Sequence, residues 1–195
     1  MQRSLMMLTV AALLSSGTAF AQQSQPQSQP NQPTIGDRKD NQQDRIANGI
    51  DSGQLTAGET KNLESRESNL NREIKDDRAG DNGKLTAGER QQINNQQNNI
   101  SKSIYADKHN ANTAHYGNTE VGQRRENQQD RIANGLRNGT MNAGQAARDE
   151  NHEQGINQQI RADRAGNGGK LSGQEKAHIN REQNHVSRTI YRQKH

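Results

Sequence analysis

The nine residues NQQDRIANG occur twice without a change, at 41 to 49 and at 127 to 135, an offset of 86. At that offset 33 of the 69 positions from 41 to 109 are identical, with no gap. Self-similarity of this strength requires two copies of one structural unit, so any fold for this chain has to be built twice. A shorter period of 30 lies inside the first copy, where GQLTAGE at 53 to 59 is echoed by GKLTAGE at 83 to 89.

The apolar residues obey the shorter period, since Leu63, Leu70 and Ile74 map onto Ile93, Ile100 and Ile104. At about 100° per residue, steps of seven and four hold each set of three within roughly 40° of a helix surface. A stripe that narrow suits contact between paired helices. The second copy keeps it in Ile156 and Ile160, then in Ile179, Val186 and Ile190, although Asp149 stands where Leu63 would. Each copy therefore predicts a short helix around Ile46 and Ile50, a longer one over about 57–78 and another over about 87–108, antiparallel across short glycine loops. The expected fold is all-α, with two tandem three-helix units at 41–109 and 124–195 joined by a linker at 110–123. Each unit is a short helix plus an antiparallel helical hairpin. Residues 22–40, rich in Gln, Pro and Ser, read as a disordered leader.

Hydrophobic residues make up 26% of the chain, against about 45 to 50% in an ordinary domain. Units this poor in apolar side chains are marginal alone, and are expected to gain stability by packing on each other or on a partner. Arg3, the apolar stretch Leu5 to Leu14 and the small-residue pattern Ala19-Phe20-Ala21 predict a secretory signal peptide over 1–21, cleaved after about Ala21. The expected location is the periplasm or the extracellular space. No run in the chain reaches the ~20 apolar residues a membrane span needs. With no cysteine, disulfides and thiolate chemistry are excluded. Residues 37–109 carry 12 basic and 13 acidic side chains, and 124–195 carry 13 and 8, so the second copy is the basic one. That bias fits either an anionic envelope partner or simple drift on a solvated surface, with an unidentified protein partner and self-association as the other expectations.

The loops carry the one motif with a chemical alternative. Gly83, Leu85, Thr86 and Glu89, and again Gly169, Leu171, Ser172 and Glu175, resemble the second half of an EF-hand calcium loop. In that family the aliphatic residue pairs two loops and the glutamate gives the ion two oxygens. The first half departs from the pattern, because the positions that should hold oxygen ligands are Arg78, Gly80 and Asn82, or Arg164, Gly166 and Gly168. A one-residue expansion would bring Asp77 and Asp81 beside Glu89, and Asp163 and Asn167 beside Glu175, and these six are the candidate metal ligands for calcium.

Helix capping accounts for more of the pattern. Thr56/Glu59, Thr86/Glu89, Asn142/Gln145 and Ser172/Glu175 all have the spacing of a capping box, in which the first side chain accepts from the third backbone N–H and the third side chain reaches back. Gln145 can cap but cannot supply a bidentate carboxylate.

The six histidines form no recognised ligand set, no nucleophile motif or phosphate-cradling glycine loop is present, and the carboxylates have basic neighbours, as in Glu64/Arg66. An enzyme is not expected. Nucleic-acid binding is not expected either, for want of basic patches with stacking aromatics. Tyr105 and Tyr191 are expected to cover the ends of the helix seam. The signal, the repeated NQQDRIANG and the glycine-Lys-Leu-Thr/Ser cassettes resemble small exported bacterial helical repeat proteins, rich in Asn and Gln, of unassigned activity. The resemblance implies neither substrate nor cofactor. The functional expectation is an exported, non-catalytic helical interaction module. The alternatives are a divalent-cation binder with EF-hand-like loops and a hydrophilic stress-protective protein.

Overall fold

A computed structural model describes residues 32–195; the signal peptide read at 1–21 and residues 22–31 of the leader lie outside the described residues. Six helices follow one another: α1 (Ile35–Asp51), α2 (Ala57–Gly80), α3 (Ala87–Lys108), α4 (Glu120–Arg137), α5 (Ala143–Gly166) and α6 (Gly173–Lys194). No strand occurs among the described residues. The all-α expectation of two three-helix units is therefore met.

Six of the nine positions of the duplicated motif are buried or half-buried in both copies, and Asn41, Asp44 and Asn48 with their counterparts are exposed. The Gln42 side-chain amide donates to the Gln97 carbonyl at 2.8 Å, and Gln128 does the same to Gln183. Gln97 and Gln183 in turn donate to the carbonyls of Ile35 and Val121. Arg45 and Arg131 donate to the carbonyls of Ser101 and Ser187. Ile46, Ala47, Ile132 and Ala133 are fully buried. A Cβ at Gly49 would lie 2.6 Å from Leu55 Cδ1, and one at Gly135 would lie 2.9 Å from Met141 Cβ. Buried amides need partners, and here they tie the leading helix of each unit to the backbone of its third.

The predicted stripes are all buried: Leu63, Leu70 and Ile74 on α2, Ile93, Ile100 and Ile104 on α3, Ile156 and Ile160 on α5, and Ile179, Val186 and Ile190 on α6. The turns into α3 and α6 need φ of +84° at Gly83 and +85° at Gly169, where a Cβ would be strained.

Two boundaries differ from the sequence expectation. α1 begins at Ile35, inside the stretch read as leader, because Thr34 and Asp37 form a capping box of their own. α4 begins at Glu120, inside the stretch read as linker, where Thr119 accepts from the Gly122 amide. Both additions carry an apolar residue to the core, Ile35 in part and Val121 fully.

Residues 33–195 form one compact unit, and the most extensive helix pairing crosses between the copies, α2 against α5. Gly58 faces Gln154 and Gly144 faces Ser68. The rising number on one helix meets the falling number on the other, so the N-terminal halves of α2 and α5 overlap antiparallel. α1 lies against α4 in the second large contact. Arg137 reaches Asp51 and Asn48 across it. Each copy thus supplies much of the cover the other lacks.

Candidate functional site

All four expected capping boxes form, at Thr56/Glu59, Thr86/Glu89, Asn142/Gln145 and Ser172/Glu175. Glu89 and Glu175 accept from the Thr86 and Ser172 amides at 2.7 Å, and those bonds hold both carboxyls below the ordinary range.

In the second loop Asn167 donates to both oxygens of Glu175, at 2.7 and 2.8 Å, while Asp163 accepts from Gln159. In the first, Asp77 has its pKa raised, by desolvation first and then by the carboxylates of Glu89, Glu73, Asp76 and Asp81. The structure so gathers Asp77, Asp81 and Glu89 into one negative region and pairs Asn167 with Glu175. Among the described residues no three His, Asp or Glu side chains converge as a metal site.

A second cluster lies where α2 crosses α5. Glu64, Glu67, Asp149, Glu150 and Glu153 are at most 1% exposed, and Glu64/Glu150 and Glu67/Glu153 are equivalent pairs in the repeat. Burial pushes Glu64 up to about 8, a rise opposed by the Gln43 amide and by Lys39 and assisted by Glu67. Burial likewise pushes Glu67 and Glu153 to about 7, opposed by Lys39 and Arg66 for the first and by Arg125 for the second. Glu150 is raised well above its ordinary value by burial, then by Glu153, Asp149 and Glu64, with only the Gln129 amide against it. Asp149 rises to about 6 by burial, with Gln193, Arg148 and Arg131 opposing. Gln43 donates to Glu64 at 3.2 Å and Gln129 to Glu150 at 3.0 Å. One oxygen each of Glu64, Glu67 and Glu150 and both of Glu153 have no partner.

Basic neighbours in the sequence, as in Glu64/Arg66, do not govern these five; burial does. Their phase explains it. Thr60, Leu63, Glu64, Glu67, Leu70 and Ile74 are all buried on α2, in the three-and-four spacing of one helix face. Glu67 fills the gap that the apolar stripe leaves between Leu63 and Leu70. The signal was the phase of the acids, and a hydrophobicity reading passes over it. Closed off from solvent, the cluster couples the packing of the two copies to proton binding.

At the outer ends, Tyr105 and Tyr191 are 62% and 60% exposed, so they do not cover the seam. Ile104 and Ile190 already close it at 0%, and the next residue on a helix points elsewhere. Each tyrosine stacks or tilts on a histidine one turn later, His109 at 4.1 Å and His195 at 4.5 Å between ring centres. His152 and His185, from α5 and α6, come within 6.2 Å, a pairing that sequence spacing did not show.

The chain matches no family model, no curated protein sequence and no solved structure.

Proposed function

We propose that the protein is an exported, non-catalytic interaction module that docks the anionic surface of an envelope through the α4/α6 face of its second copy. The observation that carries this is the setting of Tyr191. It stands 60% exposed in a shallow depression lined by Arg131, Arg188 and Arg192 together with Asn184 and Ser187. The first copy places Tyr105 identically but has Lys102 and Ala106 where the second has Arg188 and Arg192. Arg45 and Lys102 already give the first copy two of these cations, so the second copy's depression is distinguished by one more, Arg192 beside its exposed tyrosine. An arginine cluster beside an amphipathic tyrosine suits attachment to an anionic interface, with charge drawing the surface in and the ring entering it.

Export rests on the signal at the N-terminus. No helix among the described residues is long and apolar enough to cross a membrane, which fits attachment from outside.

Co-sedimentation of the mature chain with phospholipid vesicles tests the reading. Binding should require anionic phospholipid, weaken with salt, be lost in Arg188→Ala/Arg192→Ala and survive Lys102→Ala. Equal binding to zwitterionic vesicles, no binding to either, or retention by the double variant would remove it; capture of an acidic protein in place of vesicles would also count against it.

A further inference from the structure

The crossing of α2 and α5 creates two cavities that are each other's repeat equivalents. One is lined by Arg125 of α4, by Asn157, Arg161 and Arg164 of α5, and by Thr56 and Ala57 at the start of α2. The other is lined by Lys39 of α1, by Asn71, Lys75 and Arg78 of α2, and by Asn142 and Ala143 at the start of α5. Every one of these positions matches its counterpart at the offset of 86. Each cavity therefore combines three cations from one copy with the first turn of a long helix from the other.

None of the six cations is neutralised by an ion pair. The ion pairs among the described residues are Arg124–Glu120, Arg137–Asp51 and His178–Glu182. Lys39 acts on the buried Glu67 and Arg125 on the buried Glu153, and burial holds both carboxyls toward their neutral forms. Burial first lowers the pKa of Arg125, against Glu153 and Tyr116, and the nearby Arg161 and Arg164 add to the lowering.

The helix starts contribute donors. A capping box occupies the N-cap and third amides of α2 and α5, which leaves the first and second, Ala57 and Gly58 or Ala143 and Gly144, without partners in the helix.

The enclosed cavity of the pair, about 130 Å³, also shows unmet polar groups. Arg125 Nε is a buried donor without an acceptor, whereas Gln129 Oε1 and Asn157 Oδ1 on the same wall are acceptors without a donor, which only a ligand hydroxyl such as the P–OH of hydrogen phosphate could meet. At ~30 Å³ per water, this space suits a small polar ion better than a chain segment; its counterpart at the start of α5 is a wider, more open depression of about 550 Å³. Arg125 is itself held over the Tyr116 ring, 5.0 Å from its centre.

We propose that these cavities are a pair of oxyanion sites, each taking a phosphate dianion or the phosphate of a monoester. Three cations converging with the unpaired amides of a helix start favour a compact, doubly charged, tetrahedral ligand over a single carboxylate. The sites share no residue with the Tyr191 depression, so this inference stands or falls apart from the docking reading.

The test is titration of the mature chain with inorganic phosphate and, separately, with glycerol phosphate, at constant ionic strength in chloride. Calorimetry should give two sites per chain, and the amide resonances of Ala57, Gly58, Ala143 and Gly144 should shift on saturation. Arg161→Gln/Arg164→Gln should leave one site, as should Lys75→Gln/Arg78→Gln, and the four together should leave none. These side chains are exposed or half-buried at the cavity rims, so an unchanged melt without phosphate will show that each variant folds. Tighter binding of one titrant identifies free ion or ester as the source. No saturable binding of either, or binding that the variants leave at two sites, overturns the proposal.

Discussion

Replacing Glu64 by glutamine removes one titrating group from the crossing of α2 and α5 while keeping its shape and an oxygen for the Gln43 amide to bond. Burial raises Glu64 from an ordinary 4.5 to about 8. Between those values the folded chain holds a proton there that the unfolded chain has released. Stability therefore falls as pH rises, by about 1.4 kcal/mol per pH unit for this group. From pH 5 to pH 7 the loss is about 3 kcal/mol in the wild type, and Glu64→Gln should not suffer it. Glu67 and Glu153, each raised to about 7, lose stability over the same interval, so the variant flattens the profile by one proton and does not abolish it. Urea unfolding at pH 5, 6 and 7 reads the effect directly. The two proteins should be nearly equally stable at pH 5, and the variant should be ahead by about 3 kcal/mol at pH 7. Parallel profiles, or a wild type more stable at pH 7 than at pH 5, would refute the burial argument.

Gly122→Ala drives a Cβ into the Tyr116 carbonyl oxygen and to 2.5 Å from that of Gly117; since backbone must move, thermal unfolding should show a loss of about 2 to 3 kcal/mol. Ser172→Ala removes the acceptor for the Glu175 amide and should cost about 1 kcal/mol in the same assay. Millimolar calcium should leave the melting temperature unchanged, because Glu89 and Glu175 already bond their caps. A saturable rise that Glu89→Gln plus Glu175→Gln removes would instead establish the loops as cation sites.

The hairpins were legible in the sequence because both of their determinants are local. Spacing by seven and four put Ile93, Ile100 and Ile104 on one line, and Ser172 with Glu175 marked a helix start whatever lay beyond it. Thr34 with Asp37 carried the same kind of mark, but a preceding run of Gln and Pro and an Asp in place of Glu concealed it. The buried acids were harder to see for a different reason. Glu64 and Glu150 are polar by type, and what buries them is the other copy of the same unit, brought across at an angle that no local pattern encodes. Asp149, standing where Leu63 does in the first copy, hinted that this face tolerates a charge; its environment became clear only with Gln193 beside it. The paired cavities were hidden likewise, since Arg164 meets Thr56 only through the crossing.

That crossing is most directly tested by a disulfide, in a chain that has no cysteine of its own. A Cβ at Gly144 would lie 2.9 Å from Ser68 Oγ, close to the ~3 Å between a Cβ and the far sulfur that bridge geometry imposes. The folded monomer carrying Ser68→Cys and Gly144→Cys should close this bridge within one chain in air and melt at a higher temperature than its reduced form. If both thiols stay free in the folded monomer, or bridge only between chains, α2 and α5 do not cross as described.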